Sequence, residues 1–341
     1  MKSPRLAVFA IVVFFATAVR ADVTVRYKSD SKLGAGLPPI VAQQVAGSMK
    51  SAMPTETVIQ IKGTNGYISS GTLITLTDFA KQVVTVVDPQ HKQFATVYMK
   101  DYADQVLSVL PAAQGGASSD AAQKMMASMK TSFTSEKTGK TDTILGIQAE
   151  ETLLILRVYM PLPGADPSAD AAPANPPAEL LRMVLHLWTA LPSEVERVPA
   201  LHEFNSVFGD PSAANVLNPD AILGKAFGAV PGMGKGFTDM IDELSRRKAI
   251  MLKTDIEMFM PFVAQAFQSS ALGANSGQSF DPKAPAFEIN MDAEEISAAP
   301  IDDSVFAVPA DCHLASLPDF FKALLPAVAQ PAAAAPPPSN P

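Results

Sequence analysis

One cysteine, four histidines and a glycine-rich run are the residues of this chain whose types first suggest chemistry. Cys312 stands between Asp311 and His313. A thiolate beside a histidine is a setting for a nucleophile. Neighbours on an extended segment, however, point to opposite sides, so Cys312 is expected to be structural or exposed rather than catalytic. His91, His186, His202 and His313 fall at no metal-ligand spacing from one another or from Cys312. A zinc site would have to be assembled from distant parts, and the four read as surface or satisfied histidines.

Gly228 to Gly236 (Gly-Ala-Val-Pro-Gly-Met-Gly-Lys-Gly) has the look of a phosphate-binding loop. The spacing before Gly234-Lys235 is one residue too long, and the hydroxyl needed after the lysine for magnesium is replaced by Gly236. A loop between helices is expected instead. Methionines gather at Met125, Met126 and Met129, and again at Met251, Met258 and Met260. Thioethers can hold copper(I), but without paired histidines these fit core or adaptable pocket lining better. The acidic pairs Glu150-Glu151, Glu294-Glu295 and Asp302-Asp303 carry diverging side chains. Asp292-x-Glu294 lacks the oxygens and glycine of a calcium loop. Solvated faces and turns account for all of them. No Gly-x-Ser-x-Gly elbow is present. The expectation is a chain with no catalytic residue, no metal and no cofactor.

The elements that would position any site begin after an N-terminal segment of another kind. Lys2 and Arg5 precede an apolar run from Leu6 to Val19, and Val19-Arg20-Ala21 leads into Asp22. That is the layout of a secretory signal peptide cut between Ala21 and Asp22. The run is short for a membrane span, and no second candidate follows, so no transmembrane anchor is expected. Asp22 stands where a lipoprotein would carry its acylated cysteine, so a soluble periplasmic or secreted protein is expected. The formal charge of −8 falls to about −11 when Lys2, Arg5 and Arg20 are removed. An acidic chain without a basic run excludes nucleic acid as a partner. A single cysteine excludes an internal disulfide.

From Asp22 the two-residue period of half-buried strands recurs. Val23, Val25 and Tyr27 alternate with polar neighbours, as do Thr57, Ile59 and Ile61 before the Gly63-Thr64-Asn65-Gly66 turn. Short strands are expected at 67–69, 72–76, 82–87 and 93–99, an antiparallel meander with one polar face. Helices are expected at 101–110 and 119–130, then strands at 131–137, 143–147 and 151–160. The Pro/Ala/Asp-rich stretch 161–177 reads as a flexible insertion. A strand follows at 181–188, helices at 194–208, 219–228 and 238–248, strands at 254–260 and 287–291, and a helix at 317–325. The Ala/Pro tail, 326–341, is expected to be disordered. The division is therefore a leader (1–21), one domain (22–325) with a mainly helical insert (194–248), and a tail.

Three segments together resemble an exported bacterial family bearing a domain of unknown function, akin in shape to the periplasmic lipoprotein carriers of the LolA and LppX kind. They are the strand series from Thr57 through Leu73–Asp78 and Val84–Lys92 to Thr96-Val-Tyr98; the run Lys137–Ile147 with the long strand after it; and Ile301–Pro309. Asp311, Cys312 and His313 replace the glycine and lysine usual after the closing proline, and the 194–248 insert is long. The resemblance implies an α+β fold, a strongly curved, incompletely closed antiparallel β-barrel wrapping helices, and supplies no catalytic residue. An apolar cavity in such a barrel would take an acyl chain or another hydrophobic ligand, the ligand-binding residues remaining unknown. The alternative is a structural or interaction protein of the cell envelope, its partner another envelope protein. An enzyme built from dispersed residues is a third reading. It requires His186 and His202, or Cys312 and a histidine, to converge in one cleft.

Overall fold

The computed structural model describes residues 22–43, 54–109, 128–160, 178–208, 234–247, 250–269, 281 and 283–324. Alternation builds strands β1 (Val23–Leu33), β2 (Glu56–Lys62), β3 (Asn65–Ser70), β4 (Leu73–Asp78), β5 (Val83–Asp88) and β6 (Gln93–Tyr98), followed by helix α1 (Met99–Val109). Next come β7 (Lys130–Ile144), β8 (Ile147–Met160) and β9 (Ala178–Ala190). Helices α2 (Pro192–Arg197), α3 (Pro199–Phe208) and α4 (Gly234–Arg247) lead to β10 (Met251–Phe259) and α5 (Pro261–Ser269). The chain ends in β11 (Phe287–Ser297), a 3-10 turn (Asp303–Phe306), β12 (His313–Leu314) and α6 (Leu317–Leu324).

All twelve strands join one curved, unclosed sheet in the order β12-β6-β5-β4-β3-β2-β1-β11-β10-β9-β8-β7. Every pairing is antiparallel except β12 on β6, which is parallel. The α+β class and the incomplete closure are as expected. No helix among the described residues is long and apolar enough to cross a membrane.

Side-chain chemistry sets the tight connections. β4 and β5 both end in aspartate, and each carboxylate accepts hydrogen bonds from the following turn: Asp78 from the Lys81 N–H at 2.9 Å, Asp88 from the N–H groups of Gln90 and His91 at 3.0 and 3.2 Å. Each four-residue turn then closes through a left-handed residue, Gln82 or Lys92. Three strands were expected over 131–160. Two long ones form instead, joined by the two-residue turn Leu145-Gly146 with both φ positive, the geometry that matches strand twist.

Directly paired residues share a sheet face, and the register gathers the apolar positions on one side. Val23 and Val25 pair with Ile61 and Ile59; Val84 and Val86 pair with Val97 and Ala95; Leu154 and Leu156 pair with Leu185 and Met183. Three clusters cover that side. Leu201, Phe204 and Val207 of α3 pack with Val23, Val25, Tyr27, Ile61 and Leu252. Tyr102 and Val106 of α1 join Leu317 and Phe320 of α6 over Val84, Val86, Ala95 and Val97. Phe237 and Met240 of α4 sit on Leu154, Leu156, Val158, Leu185 and Leu187.

Within the expected helical insert, 194–208 is not one helix. Pro199 cannot continue it, and Val198 before it is extended (φ −101, ψ 109). Helix α4 starts at Gly234, four residues earlier than expected. The helices expected at 119–130 (apart from its last residues) and 219–228, the insertion 161–177 and the tail 326–341 lie outside the described residues. Helix α5 and strand β12 were not expected; β12, of two residues, is too short to show a period.

Between β11 and β12 the chain runs as a strap tied at both of its first contacts. Asp22 accepts a hydrogen bond from the Ile301 N–H at 2.6 Å, and Lys62 donates to the Ile301 carbonyl at 2.6 Å and pairs with Asp303 at 2.8 Å. Asp302 caps the 3-10 turn by accepting from the Ser304 N–H.

Candidate functional site

The glycine-rich run is the first candidate that the structure reassigns. Gly234, Lys235 and Gly236 form the first turn of α4, not a loop; residues 228–233 lie outside the described residues. Lys235 pairs with Asp239 of its own helix at 2.7 Å. The Gly236 N–H, one of the groups a helix start leaves unpaired, donates to Thr131 Oγ1 at 2.9 Å. A Cβ at Gly236 would lie 2.7 Å from Thr131 Cβ and 3.0 Å from Leu156 Cδ1. This glycine lets helix α4 approach β7 and β8. Gly236→Val is therefore expected to lower stability by about 2 kcal/mol, read from the urea midpoint, with Gly236→Ala between it and the parent.

The acidic pairs divide. Glu295 pairs with Arg26 at 3.3 Å, Glu294 with Lys28 at 3.6 Å and Glu150 with Lys137 at 2.6 Å, all at the surface. Glu151 corrects the expectation of a solvated face: it is 2 % exposed. Lys137 pairs with Thr152 and Thr141 with Glu150, so Thr138, Gly139 and Lys140 together face the single residue Glu151. Gly139, at φ +76, permits this three-residue bulge. Folded over the carboxylate, the bulge donates the Thr138 hydroxyl at 2.6 Å and brings Lys140 Nζ to 3.0 Å. His186 Nδ1 of β9 closes the cage at 2.8 Å from the other oxygen. Burial alone would raise the Glu151 pKa; Thr138, His186 and Lys140 outweigh it and hold the group down at about 2.

His186 also lines a depression of about 430 Å³. It stands opposite Asp255, which pairs with Lys253 at 3.2 Å, and the rest of the wall includes Lys32, Glu257 and Glu288. A second depression, about 320 Å³, lies by the β7–β8 turn and is lined by Thr141, Asp142, Thr143 and Gln148. Neither is apolar. Among the described residues no group of three or more His, Cys, Asp and Glu could hold a metal ion.

His202 lies exposed on α3 and is not part of the Glu151 cage. His313 is exposed on β12. His91 sits in the β5–β6 turn with Nδ1 at 2.6 Å from Asp88, a carboxylate that is 1 % exposed. Burial pushes the Asp88 pKa up, and the His91 side chain and N–H bring it below the ordinary value. Cys312 lies within the electrostatic reach of Asp88. Burial first, then Asp311, pushes its thiol up, with Lys92 pulling the other way. That is the reverse of nucleophile activation.

The methionines fall where an adaptable apolar surface would need them. Met129 and Met251 are half-buried against the α4 cluster; Met125 and Met126 lie outside the described residues. Met258 pairs with Met183 on one side and Phe287 on the other, and Ile256 pairs with Leu185 and Ile289. Leu33 extends the Phe287 row onto β1. This helix-packed side of β9, β10, β11 and β1 forms a half-buried apolar floor. Leu33, Met258, Phe287 and Ile289 belong neither to the α3 cluster nor to the α4 cluster as defined among the described residues.

At the expected cleavage junction, Ala21 lies outside the described residues, while Asp22 is half-buried and bonded to Ile301. The Glu151 cage escaped the spacing rules because its four residues come from three strands. Gly139 inside an alternating run was the signal of a bulge. In comparison with known proteins, no family model and no curated sequence matches this chain.

Proposed function

We propose that this chain is an exported, non-enzymatic binding protein, of the LolA-like carrier kind, that takes an acyl chain or another hydrophobic ligand on the floor between α3 and α4. The observation that carries the reading is the half-buried run of Leu33, Met183, Ile256, Met258, Phe287 and Ile289 across four adjacent strands. Strands about 4.8 Å apart make such a floor wide enough for a hydrocarbon chain. Methionine adapts to varied ligand shapes, and covering apolar surface drives binding at about 25 cal/mol per Å². The alternative, an interaction protein of the envelope, is favoured by the extent to which α1, α3, α4 and α6 fill the same side with the chain's own residues.

Protein purified from its own host, its intact mass placing the first residue at Asp22, is expected to release lipid on solvent extraction. After delipidation it takes up a fluorescent fatty acid with saturation. Met258→Asp or Ile289→Asp weakens uptake about tenfold at unchanged circular dichroism. Protein without lipid and without uptake, crosslinked instead to one envelope protein, overturns the carrier reading in favour of the alternative.

A further inference from the structure

On the other side of the sheet, one rung beyond the apolar floor, two arginines share a rung. Arg157 of β8 and Arg182 of β9 are directly opposite in the ladder, and Phe259 of β10 occupies the same rung. Adjacent residues of a strand point to opposite faces, so this rung turns away from Leu156, Met183 and Met258. Like charges directly opposite are destabilising. The carboxylate that separates them, Glu179, is shared. One of its oxygens is 3.6 Å from Arg157 Nε and the other 3.6 Å from Arg182 Nε. At that distance it attracts both but hydrogen-bonds neither.

Arg182 Nε is buried and has no hydrogen-bond partner. Its guanidinium carbon lies 4.3 Å from the centre of the Phe259 ring, within cation–π range. Both arginine side chains remain about 30 % exposed (29 % and 31 %). Within ion-pair range the two guanidiniums share a single carboxylate; Glu257, the next acid on this face, lies opposite Val184, one pair of residues away. Planar forks set side by side match the oxygens of an oxyanion.

We infer that Arg157 and Arg182 form a binding site for an oxyanion of the phosphate type, free or carried as a lipid headgroup, with Glu179 as its internal competitor. An Arg–Glu–Arg triad that only holds strands together makes a different prediction about Glu179, and this decides the test. The full chain is titrated with orthophosphate by calorimetry at low ionic strength, and in parallel sedimented with phosphatidylglycerol or phosphatidylcholine vesicles.

The expected result is saturable binding that weakens at least about tenfold in Arg182→Gln and tightens several-fold in Glu179→Gln. Orthophosphate binding identifies a free anion as sufficient. Binding to phosphatidylglycerol vesicles alone, lost in Arg182→Gln, identifies the headgroup. Should Arg182→Gln not fold, Glu179→Gln still decides: a structural triad loses stability there and gains no affinity. Parent and Glu179→Gln proteins that bind neither probe, or binding indifferent to Arg182, overturn the inference.

Discussion

Replacing Glu151 with alanine is expected to lower the stability of the fold by about 2 kcal/mol, the cost of leaving half-buried hydrogen-bonding groups without their acceptor. The carboxylate is the acceptor for the Thr138 hydroxyl, His186 and Lys140. Without it, Thr138 and His186 lose their acceptor inside the sheet, and the three-residue bulge loses the group it folds over. Lys140, 63 % exposed, can return to water, so Lys140→Ala is expected to cost under about 1 kcal/mol. Urea denaturation at pH 7 separates the two variants.

The same carboxylate predicts an acid response. Its folded pKa, about 2, lies below the 4.5 of the free side chain, so the unfolded chain takes up the proton first as pH falls. The stabilisation from Glu151 is fully present above about pH 5 and is lost progressively as pH falls through the folded value near 2. Glu151→Gln should therefore show a flatter loss of stability between pH 5 and pH 2 than the parent. Equal slopes would show that the cage does not hold the proton off.

The second large effect is expected at the other end of the sheet. Phe320 of α6 is fully buried and meets Phe321 edge to face at 5.5 Å between ring centroids. With Leu317 it joins Tyr102 and Val106 of α1 over Val84, Val86, Ala95 and Val97. Phe320→Ala removes the largest fully buried side chain of that cluster and should cost about 3–5 kcal/mol. Because α6 follows β12 after two residues, loosening the helix also frees the short strand. Cys312, the residue before β12, reports on this directly: its maleimide labelling should accelerate at least about tenfold in Phe320→Ala. Leu314→Ala, at a side chain 67 % exposed, should leave stability nearly unchanged. A labelling rate equal to that of the parent would mean that β12 stays in place without α6.

The meander from β2 to β6 was legible because each strand alternates and each turn carries Gly or Asp at a position whose backbone requires it. The joining of the two halves of the sheet was not. β1 pairs with β11, so Thr24 meets Ser297, and no local pattern encodes a pairing at that separation. The Glu151 cage was misread for a physical reason. Alternation assigns a polar residue to the solvent face, and it was the Gly139 bulge in the neighbouring strand that folded cover over it. The single helix expected over 194–208 ignored the one residue, Pro199, able to break it. Gly236, which counted against a phosphate loop because it stands in place of the hydroxyl, turned out to be a point of close helix approach, a role that shows only once Thr131 and Leu156 are placed beside it.

The parallel pairing of β12 on β6 has a consequence for assembly. An open sheet can grow indefinitely only if it offers two long edges, one to add to and one to be added. Here one end of the strand order is a strand of two residues, delivered by the strap and fastened by α6. The other, β7, is fifteen residues long and interrupted by its bulge. A molecule with one usable edge can join a second copy about a two-fold axis, β7 to β7, but that union consumes both edges. Among the described strands, β7 is the one long edge, and pairing through it gives a closed pair rather than a filament.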